Sequence, residues 1–317
     1  MLQFGEYGSY KTGLSIEGSD IDICIIYKNL YGDSNFFNDL EYILVNNSNK
    51  PTKYPYTTKT IDARIKRIVV TLDISEKIKK TPLNNDYHYL DYDDMNKIKI
   101  DFTLNENEEY LNKNMENVYN IKNQLIVYPQ IRDSMLVLKR YLKVQNKNEF
   151  YLGGIGSYEL FLMVLNVIKI YLINHPNIKL RACEVLIMAF EKFSFYDFAV
   201  YGIGKYNVDI ILPFYNPDEL PYIIDPLTEN NVAQNGPGRG RNIRETFGKG
   251  YKQLCLDNNN FKNDFNKKID PFKQDSTKSL VNLFNAEMEI DINDKSILMY
   301  KYYSSNINID IVKRNNY

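Results

Sequence analysis

Gly8-Ser9-Tyr10-Lys11-Thr12-Gly13-Leu14, followed by Ser15-Ile16-Glu17-Gly18-Ser19-Asp20-Ile21-Asp22-Ile23-Cys24-Ile25-Ile26, reads as a glycine-rich turn feeding a strand that carries two carboxylates. Side chains alternate across a strand, so residues two apart share a face. Asp20, Asp22 and Cys24 therefore point one way, and Ile21, Ile23, Ile25 and Tyr27 the other. The isoleucine face suits packing on helices, which leaves the carboxylate face open to a cleft. Two carboxylates this close repel each other unless protonated or neutralised by a cation. Paired Mg²⁺ ions meet that need, because Mg²⁺ takes oxygen ligands, keeps some waters and shares substrate phosphates. Successive backbone N–H groups of the tight Gly8-Ser9 turn would form an anion-binding nest beside them.

Further along, Lys97-Ile98-Lys99-Ile100-Asp101-Phe102-Thr103-Leu104 alternates with period two, the mark of a half-buried strand. Its apolar face is Ile98, Ile100, Phe102 and Leu104, which leaves Asp101 on the other. The preceding strand-like run, Ile68 to Leu72, ends at Asp73, a competing acidic candidate. Residues 74–95 are charged and irregular and read as a surface insertion.

From Pro129 the texture changes to long helices, with a second domain expected to begin near residue 119. Ile131, Met135, Leu138 and Leu142 make one buried stripe. Lys139 and Lys143, four apart, sit one above the other on a helix face. Gly153-Gly154-Ile155-Gly156-Ser157-Tyr158 permits close approach of backbone to a ligand, and Ser157 is expected to cap the helix that follows. That helix, Leu160 to Ile173, is interrupted by Asn166 and Lys169 and is too short to span a bilayer, so it reads as core. Asn235-Gly236-Pro237-Gly238-Arg239-Gly240-Arg241 reads as a flexible surface loop, or else Arg239, Arg241 and Arg244 touch RNA phosphates.

The bulk numbers bound the chemistry. A chain of 317 residues with 44% hydrophobic and 14% aromatic content is folded and long enough for two cores. Its net charge is −1, without the basic excess of a protein that grips RNA unaided. The cysteines Cys24, Cys183 and Cys255 form no C-x-x-C pair, and His88 and His175 lie far apart. Zinc, a disulfide framework and histidine catalysis are therefore not indicated. Nothing ahead of the first motif reads as a signal peptide.

G-S-Y-K-T-G-L before S-D-I-D-I resembles the signature of the DNA polymerase β-like nucleotidyltransferases, and within them the noncanonical poly(A) polymerases of TRAMP type. D-F-T-L-N from Asp101 resembles the family's third-aspartate strand. L-V-L-K-x-x-x-K resembles its lysine helix, and Gly153 to Leu160 resembles its G-G-L-G-S-Y-x-L motif. Asp225-Pro226-Leu227-Thr228-Glu229-Asn230-Asn231-Val232-Ala233 resembles the nucleotide-recognition loop D-P-L-x-P-x-N-N-V-A, one residue short.

The resemblance implies an α+β fold: a polymerase β-like nucleotidyltransferase sheet domain (1–118), a mostly helical poly(A)-polymerase-associated central domain (119–256) and a polar tail (257–317). Asp20, Asp22 and Asp101 would be the catalytic carboxylates and the ligands of Mg²⁺, with Mn²⁺ the other candidate. Gly8, Ser9, Lys139, Lys143 and Ser157 would hold the triphosphate, Tyr158 the base and Asn105 the ribose. Asp225 and Asn230 would read the base edge. Uridylyl transferases place a His where Asn230 stands, so ATP is expected over UTP. The family carries helices ahead of the first motif, so a layer over the sheet is expected to be absent or to lie upstream of Met1.

The implied activity is template-independent adenylyl transfer from ATP to an RNA 3′ end, in nuclear RNA surveillance or processing. The cytoplasm is the second location. A helicase or zinc-knuckle protein would deliver the RNA, and neither DNA nor a membrane is implied. The rivals are a terminal uridylyl transferase and a catalytically silent scaffold subunit. Transfer to a small molecule is disfavoured by the second domain's loop motifs.

Overall fold

The computed structural model describes residues 2–27, 36–48, 55–61, 67–75, 97–105, 108–149, 153–233 and 238–256. Residues 76–95 of the expected insertion and the polar tail from 257 lie outside them. The chain divides into two compact units, Met1–Arg140 and Tyr141–Tyr317. The division therefore does not fall near residue 119. The helix running through that position packs on the sheet and belongs to the first unit.

In the first unit, β1 (Leu2–Tyr7) leads directly into α1 (Gly8–Thr12), so the glycine-serine pair opens a single helical turn. The unit continues with β2 (Ile21–Tyr27), α2 (Phe36–Ser48), β3 (Tyr56–Ile61), β4 (Arg67–Asp73), β5 (Lys97–Asn105) and α3 (Glu108–Val127). The described strands form one mixed sheet in the order β1-β2-β5-β4-β3. Only β2 and β5 are parallel, in the register Asp22 to Asp101 and Cys24 to Thr103.

Strand alternation gives this sheet two faces with different covers. Ile25, Ile68 and Val70 form a cluster on one face, joined by Ile23, Leu72 and Phe102 and covered by Leu40 and Leu44 of α2. Cys24 and Ile26 on the other face pack against Leu111 of α3, with Tyr7 and Tyr110 at the margin. The carboxylate face is therefore not open along its whole length. Helix α3 covers the Cys24–Ile26 end, because Cys24 and Ile26 are apolar enough to demand it.

Helix α4 (Gln130–Val144) carries the expected stripe, with Ile131, Met135, Leu138 and Leu142 at most 1% exposed. The second unit is built on α5 (Ser157–Asn174), α6 (Ala182–Ser194) and α7 (Arg239–Leu256). A short antiparallel pair, β6 (Tyr201–Ile203) and β7 (Asp209–Ile211), stands between α6 and α7 in sequence. Every residue from Leu160 to Ile168 is buried, so the most apolar helix is core as its composition requires. An aromatic cluster holds the helices together: Phe190 meets Tyr141 edge-on at 5.0 Å and Phe247 at 5.5 Å. Phe193 meets Phe247 at 5.6 Å. Replacing Phe190 by Ala should lower the unfolding free energy by about 3–5 kcal/mol, read from urea denaturation with tyrosine fluorescence.

Candidate active site

The cross-strand register determines which carboxylates face each other. Asp22 stands beside Asp101 on parallel strands, and both lie on the face shared with Cys24 and Thr103. Asp20, the second residue ahead of Asp22, adds its charge to the same point and helps raise the Asp22 carboxyl. Asp73, the rival candidate, stands opposite Lys97 at the far end of β4 and accepts from the Ser75 backbone N–H.

Burial governs the electrostatics. It pushes the Asp22 carboxyl up from 3.8 to about 7, with the charges of Asp101 and then Asp20 adding to the effect. Arg67 and Lys139 oppose that rise. Asp101 is 4% exposed and is also raised by burial, against the pull of Arg67. Arg67 Nη1 donates to Asp101 Oδ2 at 2.9 Å. The other oxygen, Oδ1, is buried with no hydrogen-bond partner. Among the described residues, no three His, Cys, Asp or Glu side chains close on one point as a ready-made metal cage. Even so, an orphaned carboxylate oxygen beside a second carboxylate strained by like charge is a donor set that a hard divalent cation fits.

The glycine-serine turn is tied to the carboxylates by contact. Gly8 has φ +67°, and a Cβ there would overlap Asp22 Oδ2. Only glycine combines that backbone with that approach. Ser9 contributes its carbonyl, which accepts from Leu14 N at 2.9 Å and Thr12 Oγ1 at 3.1 Å. Lys139 is buried, and its Nζ donates to Leu14 O at 2.7 Å. Burial pulls its ammonium down to about 8, while the charge of Asp22 works the other way. The adjacent Arg140 pairs with Glu17 of the same segment. Lys143 lies one turn further along α4, half-buried. The side chain of Asn105 lies outside the described residues.

In the second unit, Tyr158 and the recognition loop form one hydrogen-bonded piece. Tyr158 OH donates to Asp225 Oδ1 at 2.9 Å, and its ring stacks on Phe161 at 6.3 Å. The same Asp225 oxygen accepts Leu227 N at 2.9 Å, and Oδ2 accepts Thr228 Oγ1 at 2.8 Å. The Asp225 carboxylate is thus engaged in shaping the loop. Asn231 is engaged likewise, accepting from the N–H groups of Ile223 and Ala233. Asn230 presents an exposed side chain. Ser157 is exposed and is not the cap: Gly156 holds that position, its N–H donating to Glu159 Oε2 at 3.3 Å.

Arg239 corrects the loop expectation most sharply. It is 1% exposed at the start of α7 and pairs with the buried Glu159. It also donates to Gly154 O at 2.9 and 2.7 Å and to Ala233 O at 2.9 Å. Burial raises the Glu159 carboxyl to about 7, and the Arg239 guanidinium counters it. Arg244 and Arg241 both reach Glu219, at 2.6 and 3.7 Å. Sequence reading missed Arg67 and the internal role of Arg239. For Arg67 the only available signal was its alternation with Ile68 and Val70, which assigns it to the Asp101 face.

Comparison with known proteins shows what the chain is similar to. Residues 4–151 match the nucleotidyltransferase domain family. Over those residues the chain is similar to that family. Its homologues are Trf4- and Cid14-type poly(A) polymerases. They include the inactive noncanonical poly(A) RNA polymerase protein Trf4-2 of Drosophila melanogaster, 23% identical over 78% of this chain and 57% of that protein. Poly(A) RNA polymerase CID14 of Cryptococcus neoformans is 27% identical over 79% of this chain and 30% of its own length. The chain thus spans little more than half of the first of these relatives and under a third of the other.

The chain shares its α+β fold with the polymerase core of TRAMP, an RNA surveillance complex (TM-score 0.62, 18% identity, 90% of this chain and 82% of that one). The Cid1 poly(U) polymerase with the UTP analogue UMPNPP matches at TM-score 0.58 and 15% identity over 89% of this chain and 85% of that one. A His-to-Asn variant of Cid1 bound to MgATP matches at TM-score 0.56 and 15% identity, over 80% of this chain and 82% of that one.

The raised Asp22 carboxyl has a pH consequence. Between about pH 4 and 7 the folded domain keeps a proton on Asp22 that the unfolded chain has lost. The Asp22 contribution to stability therefore falls as pH rises through that window and levels off above it. In buffer containing chelator, Asp22→Asn should reduce this decline and raise the melting temperature at pH 8, measured by thermal denaturation across pH.

Proposed function

We propose that the chain is a template-independent RNA 3′-terminal adenylyltransferase. The single observation that supports this most is the facing pair Asp22 and Asp101, the latter with a buried, unpartnered oxygen, next to a glycine whose positive φ and closeness to Asp22 together admit no side chain. The 3′ oxygen of RNA attacks the α-phosphorus of ATP, that bond forms as the bond to the bridging oxygen breaks, and pyrophosphate leaves. Asp20, Asp22 and Asp101 would hold Mg²⁺, or Mn²⁺, which when bound neutralises phosphate charge and acidifies the attacking hydroxyl.

The remaining roles fall to the chain's own groups. Asp101 accepts the proton of the RNA 3′ hydroxyl. Gly8, Ser9, Lys139, Lys143 and Ser157 hold the triphosphate. Tyr158 offers a ring face to the base, and Asn105 binds the ribose. Asn230, exposed on the recognition loop, reads the base edge, while Asp225 sets the loop's shape. Asn230 where uridylyl transferases carry His supports ATP as the substrate. The near-neutral charge supports a partner that delivers RNA, a helicase or zinc-knuckle protein, in the nucleus.

A second reading, a silent subunit of an RNA-processing complex, is favoured by the inactive Drosophila relative. Incubating the full chain with a labelled oligoribonucleotide, Mg²⁺ and each nucleoside triphosphate separates these. Extension with ATP is expected, and Asp101→Asn should slow it about 10²–10⁴-fold. Faster extension with UTP would overturn the adenylyl assignment, and no extension with any nucleotide would favour the silent subunit.

A further inference from the structure

The sheet face that carries Asp22 and Asp101 continues past them toward the edge strand. Across the strands, one row runs Tyr7, Asp22, Asp101, Val69 and Lys59. The neighbouring row, two residues toward the start of β5, runs Lys99, Thr71 and Thr57. Lys97 follows, opposite Asp73. Alternation puts all of these on the side away from the Ile25–Ile68–Val70 cluster. Lys59, Thr57, Lys97 and Lys99 are exposed.

A lysine on an edge strand often serves only to discourage pairing with other sheets, and β3 is such an edge. That explanation does not cover Lys97 and Lys99, which lie on the central strand β5. There, α3 covers the opposite end of the face, over Cys24 and Ile26. Among the described residues, the part of this face next to the carboxylates carries no helix and is lined by the ammonium groups of Lys59, Lys97 and Lys99 and the hydroxyls of Thr57 and Thr71. The one acid at its margin, Asp73, is engaged by Ser75. By strand geometry the Lys99 backbone stands about 7 Å from that of Asp101 and the Lys59 backbone about 10 Å from it. A nucleotide chain whose 3′ end is at Asp101 covers those intervals in its first phosphate steps. Of the arginines that the sequence offered for RNA contact, Arg239 is buried against Glu159 and Arg244 pairs with Glu219, while Arg241 stays 63% exposed at 3.7 Å from Glu219.

We propose that Lys99 and Lys59, flanked by Thr71 and Thr57, form a track for the phosphates of single-stranded RNA that leads its 3′ end to Asp101. The track rests on the reading of this chain as an RNA-extending transferase, but its first readout, the salt dependence of RNA binding, needs no turnover. The full chain, Lys99→Thr, Lys59→Thr and the double variant are each titrated with a labelled fifteen-residue oligoadenylate at several salt concentrations. Threonine suits a strand, and both positions are exposed, so the fold is expected to persist and is checked by thermal melting.

Phosphate binding is salt-dependent, with a slope of about −0.7 per phosphate neutralised on a single strand. Each substitution should reduce the slope by about 0.7, the double variant by about 1.4, with affinity at low salt falling several-fold per lysine. The KM for ATP should stay within about twofold. An unchanged slope in the double variant would overturn the track. So would a rise in the KM for ATP without a change in slope, since the lysines would then be serving the triphosphate. If the slopes fall but the wild type extends no RNA, the transferase reading fails and the track stands.

Discussion

Two carboxylates held side by side away from water set the terms for the first unit. Asp22 and Asp101 occupy equivalent positions on parallel neighbouring strands, and burial keeps both from ionising easily. A folded chain tolerates such an arrangement only with compensation, and here that is partial. Arg67 satisfies one oxygen of Asp101, and Lys139 lends its charge to Asp22 from a buried position of its own. The residual repulsion is a cost that function would explain and stability would not.

The rest of the unit can be understood as what holds that arrangement in being. Gly8 lies close enough to Asp22 that no side chain is admissible, so the turn and the carboxylate are fixed relative to each other. The segment from Leu14 to Glu17 is fastened to α4 through Lys139 and Arg140, which ties the turn to the lysine helix. One sheet face is sealed by α2, whereas α3 seals only part of the other. The polar strip left uncovered begins at the carboxylates.

In the second unit, buried polar groups do a comparable task without like-charge conflict. Arg239 links the Gly154 carbonyl, the Ala233 carbonyl and Glu159, while Asp225 links Tyr158 to the turn at Leu227 and Thr228. Tyr158 and the loop after Asp225 are thereby built as one piece. Buried polar networks of this kind, when satisfied, fix a single arrangement. Asn230 is left outward as a group that a ligand can meet.

Much of this was legible in the residues themselves. Period-two alternation assigned Asp22 and Asp101 to strand faces, whereas Asp20 lies just ahead of β2 rather than on it, and helical spacing assigned Ile131, Met135, Leu138 and Leu142 to a buried stripe. These are local properties, set by backbone geometry before any tertiary contact forms. What the sequence could not decide is which strand lies beside which. The β2–β5 pairing across about eighty intervening residues is what ranks Asp101 over Asp73 and brings in Arg67. The same holds for Arg239, which looks like a loop arginine until the fold buries it against Glu159, eighty residues away. Local chemistry chose the groups, and long-range pairing, which depends on the whole core, chose their neighbours.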